Sequence, residues 1–191
     1  MTWPFGDLRM FGYGMIMTDP PWSFDHWSAK GATNKSARGQ YDVMTLDDIK
    51  EMPVGQLASD NAVLWLWATH PMLPQAIDAM KIWGFRFVTS GAWVKRTATG
   101  KLAFGTGYRL RCASEPFLIG VVGNPETPRN IRTVIEGPVR EHSRKPDEAY
   151  AIAERMTPPG AFRCELFARE RRPGWDAFGN ESNKFSKDNA A

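Results

Sequence analysis

The run Asn61-Ala62-Val63-Leu64-Trp65-Leu66-Trp67-Ala68 constrains the fold of this chain more than any other stretch. Every residue from 62 to 68 is apolar, with none of the alternation expected of a strand that faces water on one side. Such a strand is buried on both faces, and a sheet covered on both faces carries helices on each. Apolar residues at helical spacing, Leu73, Ala76, Ile77 and Met80, predict a helix that stops near Gly84. Thr45, followed by Asp47 and Asp48, predicts a capped helix that Pro53 ends. Residues 85–88 and 92–94 read as one strand with a bulge at Gly91, and 116–122 and 132–136 read as two more. A further helix has Pro146 in its first turn and Ala149, Ile152, Ala153 and Met156 on one face. The last strand spans 162–169. Six or so strands alternating with helices predict an α/β fold with a mostly parallel sheet. The 191 residues fit one domain, 1–191, with 182–191 as a frayed tail.

The chemistry concentrates in Met15-Ile16-Met17-Thr18-Asp19-Pro20-Pro21-Trp22. A short apolar run ends at two prolines, which cannot donate to a ladder and push the preceding residue out of the helical region. An acid therefore stands at the carboxyl end of a buried strand, the edge where open α/β sheets bind ligands. Methylation of an exocyclic amine suits this arrangement. The amine is a poor nucleophile because its lone pair is delocalised into the ring. Asp19 and the carbonyl of Pro20 can accept its two hydrogens, localising the lone pair and aligning it with an electrophile. Pro21 keeps that carbonyl rigid, and Trp22 offers a face on which a base can stack.

Other segments supply charge. The polar stretch 23–40 interleaves basic groups such as Lys30 with aromatics such as Trp27, a composition suited to an unstacked nucleotide. Lys95, Arg96, Lys101, Arg109 and Arg111 surround Phe104-Gly105-Thr106-Gly107-Tyr108, where Tyr108 could stack and the cations could meet phosphates. A net charge of +3 permits a polyanionic partner without requiring one. Lys145, just before a helix, opposes the macrodipole, and a bound carboxylate or phosphate would explain it. Beyond the last strand, Asn180 and Glu181 suit ribose hydroxyls. Cys112 and Cys164 lie far apart without metal-ligand spacing and read as reduced core thiols of a cytoplasmic protein. No apolar run is long enough to cross a membrane.

Four segments, Asp19-Pro20-Pro21-Trp22, Ser143-Arg144-Lys145-Pro146-Asp147-Glu148, Glu165-Leu166-Phe167-Ala168-Arg169, and Trp175 with Gly179-Asn180-Glu181, follow one another in this order. On these, over residues 13–181, the chain resembles the MT-A70 family of adenine-N6 methyltransferases. The resemblance implies a Rossmann-like, S-adenosylmethionine-dependent methyltransferase fold in which the catalytic motif precedes the cofactor-binding segment. It implies S-adenosylmethionine as donor, S-adenosylhomocysteine as product and no metal. Asp19, Pro20, Pro21 and Trp22 would engage the target adenine. Asp19, Pro21, Lys145, Arg169, Asn180 and Glu181 would hold the donor, with Lys145 at its carboxylate and the last three at its ribose and adenine. Residues 23–40 and 137–144 resemble loops that close over the site. The compact chain resembles bacterial and phage members, which implies DNA as substrate; a monomer or homodimer is expected. The alternatives are the same chemistry on RNA, or a non-catalytic nucleic-acid-binding partner subunit.

Overall fold

A computed structural model of the protein describes residues 3–22, 44–107, 109–141 and 144–185. Seven strands form one sheet: β1 (Tyr13–Thr18), β2 (Ala58–Trp67), β3 (Arg86–Arg96), β4 (Ser114–Val122), β5 (Val134–Pro138), β6 (Phe162–Leu166) and β7 (Asp176–Phe178), in the spatial order β5-β3-β4-β2-β1-β6-β7. Only β4 runs against its neighbours; every other adjacent pair is parallel. The expected α/β architecture with a mostly parallel sheet is the one observed.

The apolar run is β2, and it lies near the middle of the sheet between β1 and β4. Successive side chains alternate between two cores, as the strand period of two requires. Leu64 and Leu66 join Ile16, Leu118 and Cys164 on one face. Val63, Trp65 and Trp67 join Met15, Met17 and Phe117 on the other. Trp65 stacks on Phe117 across the β2–β4 pair, with centroids 4.1 Å apart. Helices α1 (Leu46–Glu51) and α2 (Leu73–Ile82) cover the first face through Ile49, Ala76, Ala79 and Met80. Helix α3 (Asp147–Met156) covers the second through Ala149, Tyr150 and Ala153. Helix α1 begins with the expected cap: Thr45 Oγ1 accepts from the Asp48 amide at 3.1 Å, and Asp48 Oδ2 accepts from the Thr45 amide.

Strand ends shift, with β5 at Val134–Pro138 instead of 132–136 and β6 stopping at Leu166 instead of 169, and three further details differ from the sequence reading. The bulge in β3 falls between Phe87 and Thr89, not at Gly91. A Cβ at Gly91 would lie 2.3 Å from the Phe117 ring, so glycine there makes room for an aromatic neighbour. Pro146 is the N-cap of α3 and lies just outside its first turn. The short β7 has no counterpart among the expected strands. It pairs with β6, and the Tyr13 hydroxyl donates to Asp176 at 2.7 Å.

The order of the strands also places a crevice. From β1 the chain crosses to β2 on one side, whereas from β6 it continues to β7 on the other. Two neighbouring parallel strands whose continuations diverge leave open space at their carboxyl ends, the usual ligand position in such sheets.

Candidate active site

Asp19 follows the last residue of β1 and so opens onto that crevice. The turn after it is fixed twice. The Trp22 amide donates to the Pro20 carbonyl at 2.8 Å, and the Trp22 indole N–H donates to the carbonyl of Trp67 at 3.0 Å. The second bond ties the turn to the end of β2. It also corrects the expectation for Trp22: the ring is buried, with 4% exposure, and braces the turn instead of offering a stacking face. The Pro20 carbonyl spends one lone pair on Trp22 and keeps the second, since a carbonyl oxygen has two.

Lys145 is buried beside Asp19. Its Nζ lies 2.8 Å from Asp19 Oδ2, 2.5 Å from Glu115 Oε1 and 5.3 Å from the centre of the Trp67 ring. Glu115, in β4, also accepts from Lys95 at 2.7 Å. Two acids and two lysines thus alternate as Asp19–Lys145–Glu115–Lys95, and the four charges cancel. This network explains why a lysine stands ahead of a helix: the protein's own carboxylates offset the unfavourable dipole, where the sequence had suggested a bound anion. Its two carboxylate partners use two of the three ammonium hydrogens of Lys145.

Burial works against the charges of Asp19, Lys145 and Glu115. At Glu115 the two lysines outweigh it and hold the carboxyl down at about 2. At Lys145 the two carboxylates outweigh it, and the ammonium stays protonated well beyond the ordinary range. At Asp19 burial prevails over Lys145, and repulsion from Glu115 adds to it, so its carboxyl is raised. Asp19 is accordingly the member that takes up a proton most readily.

The opposite wall comes from β6 and α3. Glu165 is buried, and its Oε1 accepts from the Tyr150 hydroxyl at 2.7 Å. Burial pushes its carboxyl up to about 7, against the pull of Tyr150 and Arg172. Phe167, just after β6, holds a left-handed backbone at φ 59°, strained for a residue other than glycine. Arg169 follows and is paired with Glu181, which also accepts from Lys184 at 2.7 Å. Asp19, Lys145, Tyr150, Glu165, Phe167 and Arg169 line one cleft.

The structure therefore brings Asp19, Lys145 and Arg169 together, with Glu181 at Arg169 and Asn180 exposed beside it. Lys95 does not stand ready for a phosphate, because Glu115 holds it and the Trp93 ring lies 4.6 Å away. Arg109 and Arg111 are exposed on the β3–β4 connection. Trp27, Lys30 and Tyr108, the stretch 23–40, and residues 142 and 143 of the second expected loop lie outside the described residues. Sequence reading missed Glu115 altogether. The available signal was an acid directly ahead of the apolar run 116–122. Among the described residues no cluster of His, Cys, Asp and Glu could hold a metal, and no helix is long and apolar enough to cross a membrane.

Sheet, crevice and acid-bearing turn define a Rossmann-like α/β domain of the methyltransferase type. The MT-A70 family model matches residues 13–181, and the chain belongs to that family. It is 35% identical over 192 residues to the N(6)-adenosine-methyltransferase MT-A70-like protein of Arabidopsis thaliana, covering 95% of this chain and 26% of that one. It is 30% identical over 182 residues to the N(6)-adenosine-methyltransferase catalytic subunit METTL3 of Homo sapiens, covering 92% of this chain and 29% of that one. With the type II methyltransferase M.MunI of a Mycoplasma species it shares 27% identity over 197 residues, covering 93% of this chain and 81% of that one. The chain thus spans about a quarter of the plant relative's length but four-fifths of the mycoplasmal one's.

Proposed function

We propose that this chain, acting as a single methyltransferase domain, transfers a methyl group from S-adenosylmethionine to the N6 amine of adenine in DNA. The observation that carries the reading is the placement of Asp19, at the mouth of the β1–β6 crevice on a turn fixed by Trp22 and beside the buried Lys145. Family membership supports adenine-N6 chemistry. The near-full-length match to a type II methyltransferase supports DNA over RNA.

The cleft suits the donor. The third Lys145 hydrogen fits a carboxylate, the acids fit an ammonium group and a ribose diol, and the Nε of Arg144 is buried there without a partner. Lys145, Arg169, Asn180 and Glu181, with Asp19 and Pro21 beside them, would hold S-adenosylmethionine, whose sulfonium supplies an electrophilic methyl. The chain's own contribution is orientation. Asp19 and the Pro20 carbonyl accept the two amine hydrogens, so that the nitrogen lone pair is turned out of conjugation. The attack is direct and in line, with no covalent enzyme intermediate. A methylated amine is strongly acidic, so Asp19 needs only a modest affinity for its proton, and its raised carboxyl provides that. The Lys145 charge then holds Asp19 in place whichever state it occupies.

The test offers tritiated S-adenosylmethionine with unmethylated plasmid DNA and, separately, with a transcript of the same sequence. Label recovered as N6-methyladenine in DNA is expected. Label only in the transcript would move the substrate to RNA, and label in another base would overturn the reading.

A further inference from the structure

The connection between β3 and β4, residues 97–113, has a composition that the catalytic site does not use. Among the described residues its Leu110 and Phe104 are the two most exposed large apolar side chains, at 86% and 77%. Leu102, also exposed, lies on the same loop. The segment carries Lys101, Arg109 and Arg111 and no acidic residue. An apolar tip on a segment whose charges are all positive is unlike an ordinary solvated loop and suits a polyanionic partner.

Its position is equally specific. Strand β3 is antiparallel to β4, and β4 is antiparallel to β2, so β3 ends at the same sheet edge as β1 and Asp19. The loop then doubles back along Lys95, whose carbonyl accepts from the Ala103 amide at 2.8 Å. Lys95 belongs to the ion network that ends at Asp19. A hydrogen bond from Gly105 to Cys112 at 2.9 Å closes the base of the tip. The Arg111 guanidinium lies 5.0 Å over the Phe104 ring, and Arg111 Nη1 donates to the Gly107 carbonyl at 3.1 Å. Phe104 is therefore held outward by a cation that can itself face a phosphate.

We propose that Leu110 and Phe104 enter a DNA double helix as an apolar wedge, and that the adenine reaching Asp19 is one extruded from a base-paired duplex. The proposal rests on the reading of the chain as an adenine methyltransferase and goes on to name the form of its substrate. Polyanion recognition follows from the one-signed charge of the loop. Duplex rather than single strand follows from the side chains. Leucine has no π face on which a lone base can stack, whereas leucine and phenylalanine both serve as wedges between base steps. A base paired within a stack cannot reach a cleft at the sheet edge, so a duplex substrate requires a group that opens the stack, which the wedge supplies.

The test is the ratio of methyl transfer to native over heat-denatured unmethylated plasmid, measured with tritiated S-adenosylmethionine for wild type, F104A/L110A and F104L. A wild-type ratio above one is expected, falling at least tenfold in F104A/L110A and recovering in F104L, which keeps apolar bulk. A ratio that stays within twofold of wild type in F104A/L110A would overturn the wedge, as would a wild type active only on denatured DNA. A change in sedimentation of F104A/L110A at an unchanged ratio would also overturn it and assign the tip to association between protein chains. A wild type inert on both forms would overturn the methyltransferase reading itself, a result distinguishable from an active enzyme whose ratio ignores Phe104 and Leu110. Donor titration by calorimetry, unchanged in F104A/L110A, shows that the variant is folded.

Discussion

Glu165 offers a sharp test of the cleft's electrostatics, by replacement with glutamine. Its carboxyl is raised from an ordinary 4.5 to about 7, chiefly by burial, while Tyr150 and Arg172 pull it down and Asp19 pushes it up. A raised acid binds its proton more tightly in the folded state than in the unfolded chain. Between pH 4.5 and 7 the folded protein therefore holds more protons, and stability falls as pH rises through that window. At about 1.4 kcal/mol per pH unit the full span is worth about 3 kcal/mol. Glutamine keeps an oxygen for the Tyr150 hydroxyl and carries no charge at any pH. E165Q is expected to match wild type near pH 4.5 and to exceed it by about 3 kcal/mol above pH 7.5. For a chain of this size that corresponds to a rise in Tm of roughly 6–12 °C. Urea denaturation of both proteins from pH 4.5 to 8.5 reads the difference, in which groups common to the two cancel. Parallel stability curves across the window would refute the assignment of a buried, raised carboxyl to Glu165.

Glu115 should behave in the opposite sense. Its carboxyl is held down at about 2, so its stabilisation is complete above pH 4.5 and disappears as pH falls toward 2. E115A removes the acid that Lys145 and Lys95 share, but Lys145 keeps Asp19 and Lys95 is partly exposed, so a cost of about 1.5–3 kcal/mol at pH 7 is expected by urea denaturation. Near-wild-type stability would show that the two lysines are not held by it. On the nucleic-acid side, R109E/R111E is expected to flatten the dependence of DNA affinity on salt, by about 0.9 in log–log slope for each phosphate no longer neutralised. Donor affinity, measured by calorimetry, should change far less, since its binding groups are sheltered; an unaltered DNA slope would place the phosphate track elsewhere.

Much of the frame was legible because it rests on local rules. The unbroken apolar run of β2, the proline-ended β1 and the Thr45–Asp48 cap each follow from a few neighbouring residues, and all three are present. Features that depend on distant partners were not legible. Nothing near Asp176–Phe178 marks a strand, since three residues give no period and β7 exists because β6 presents an open edge. The role of Glu115 depends on β4 running backwards between β2 and β3, which carries its first residues to Lys145. The fate of Trp22 depends on a carbonyl 45 positions away that captures its indole N–H and draws the ring into the core. Lys145 reads in the sequence as a partner for a ligand's carboxylate because the two acids that already hold it lie 126 and 30 positions before it.

The central claim is that Asp19 orients the adenine amine, and methyl transfer by D19A tests it most directly. Lys145 keeps Glu115 as a partner in this variant, and the Asp19 side chain is a quarter exposed, so the fold should persist, as a thermal melt can verify. Tritiated S-adenosylmethionine and unmethylated DNA, with separation of the nucleosides, give the readout. Wild type should place the label in N6-methyladenine, and D19A, still folded, should be slower by about a hundredfold or more. A folded D19A that transfers methyl within about threefold of wild type would contradict the role assigned to Asp19.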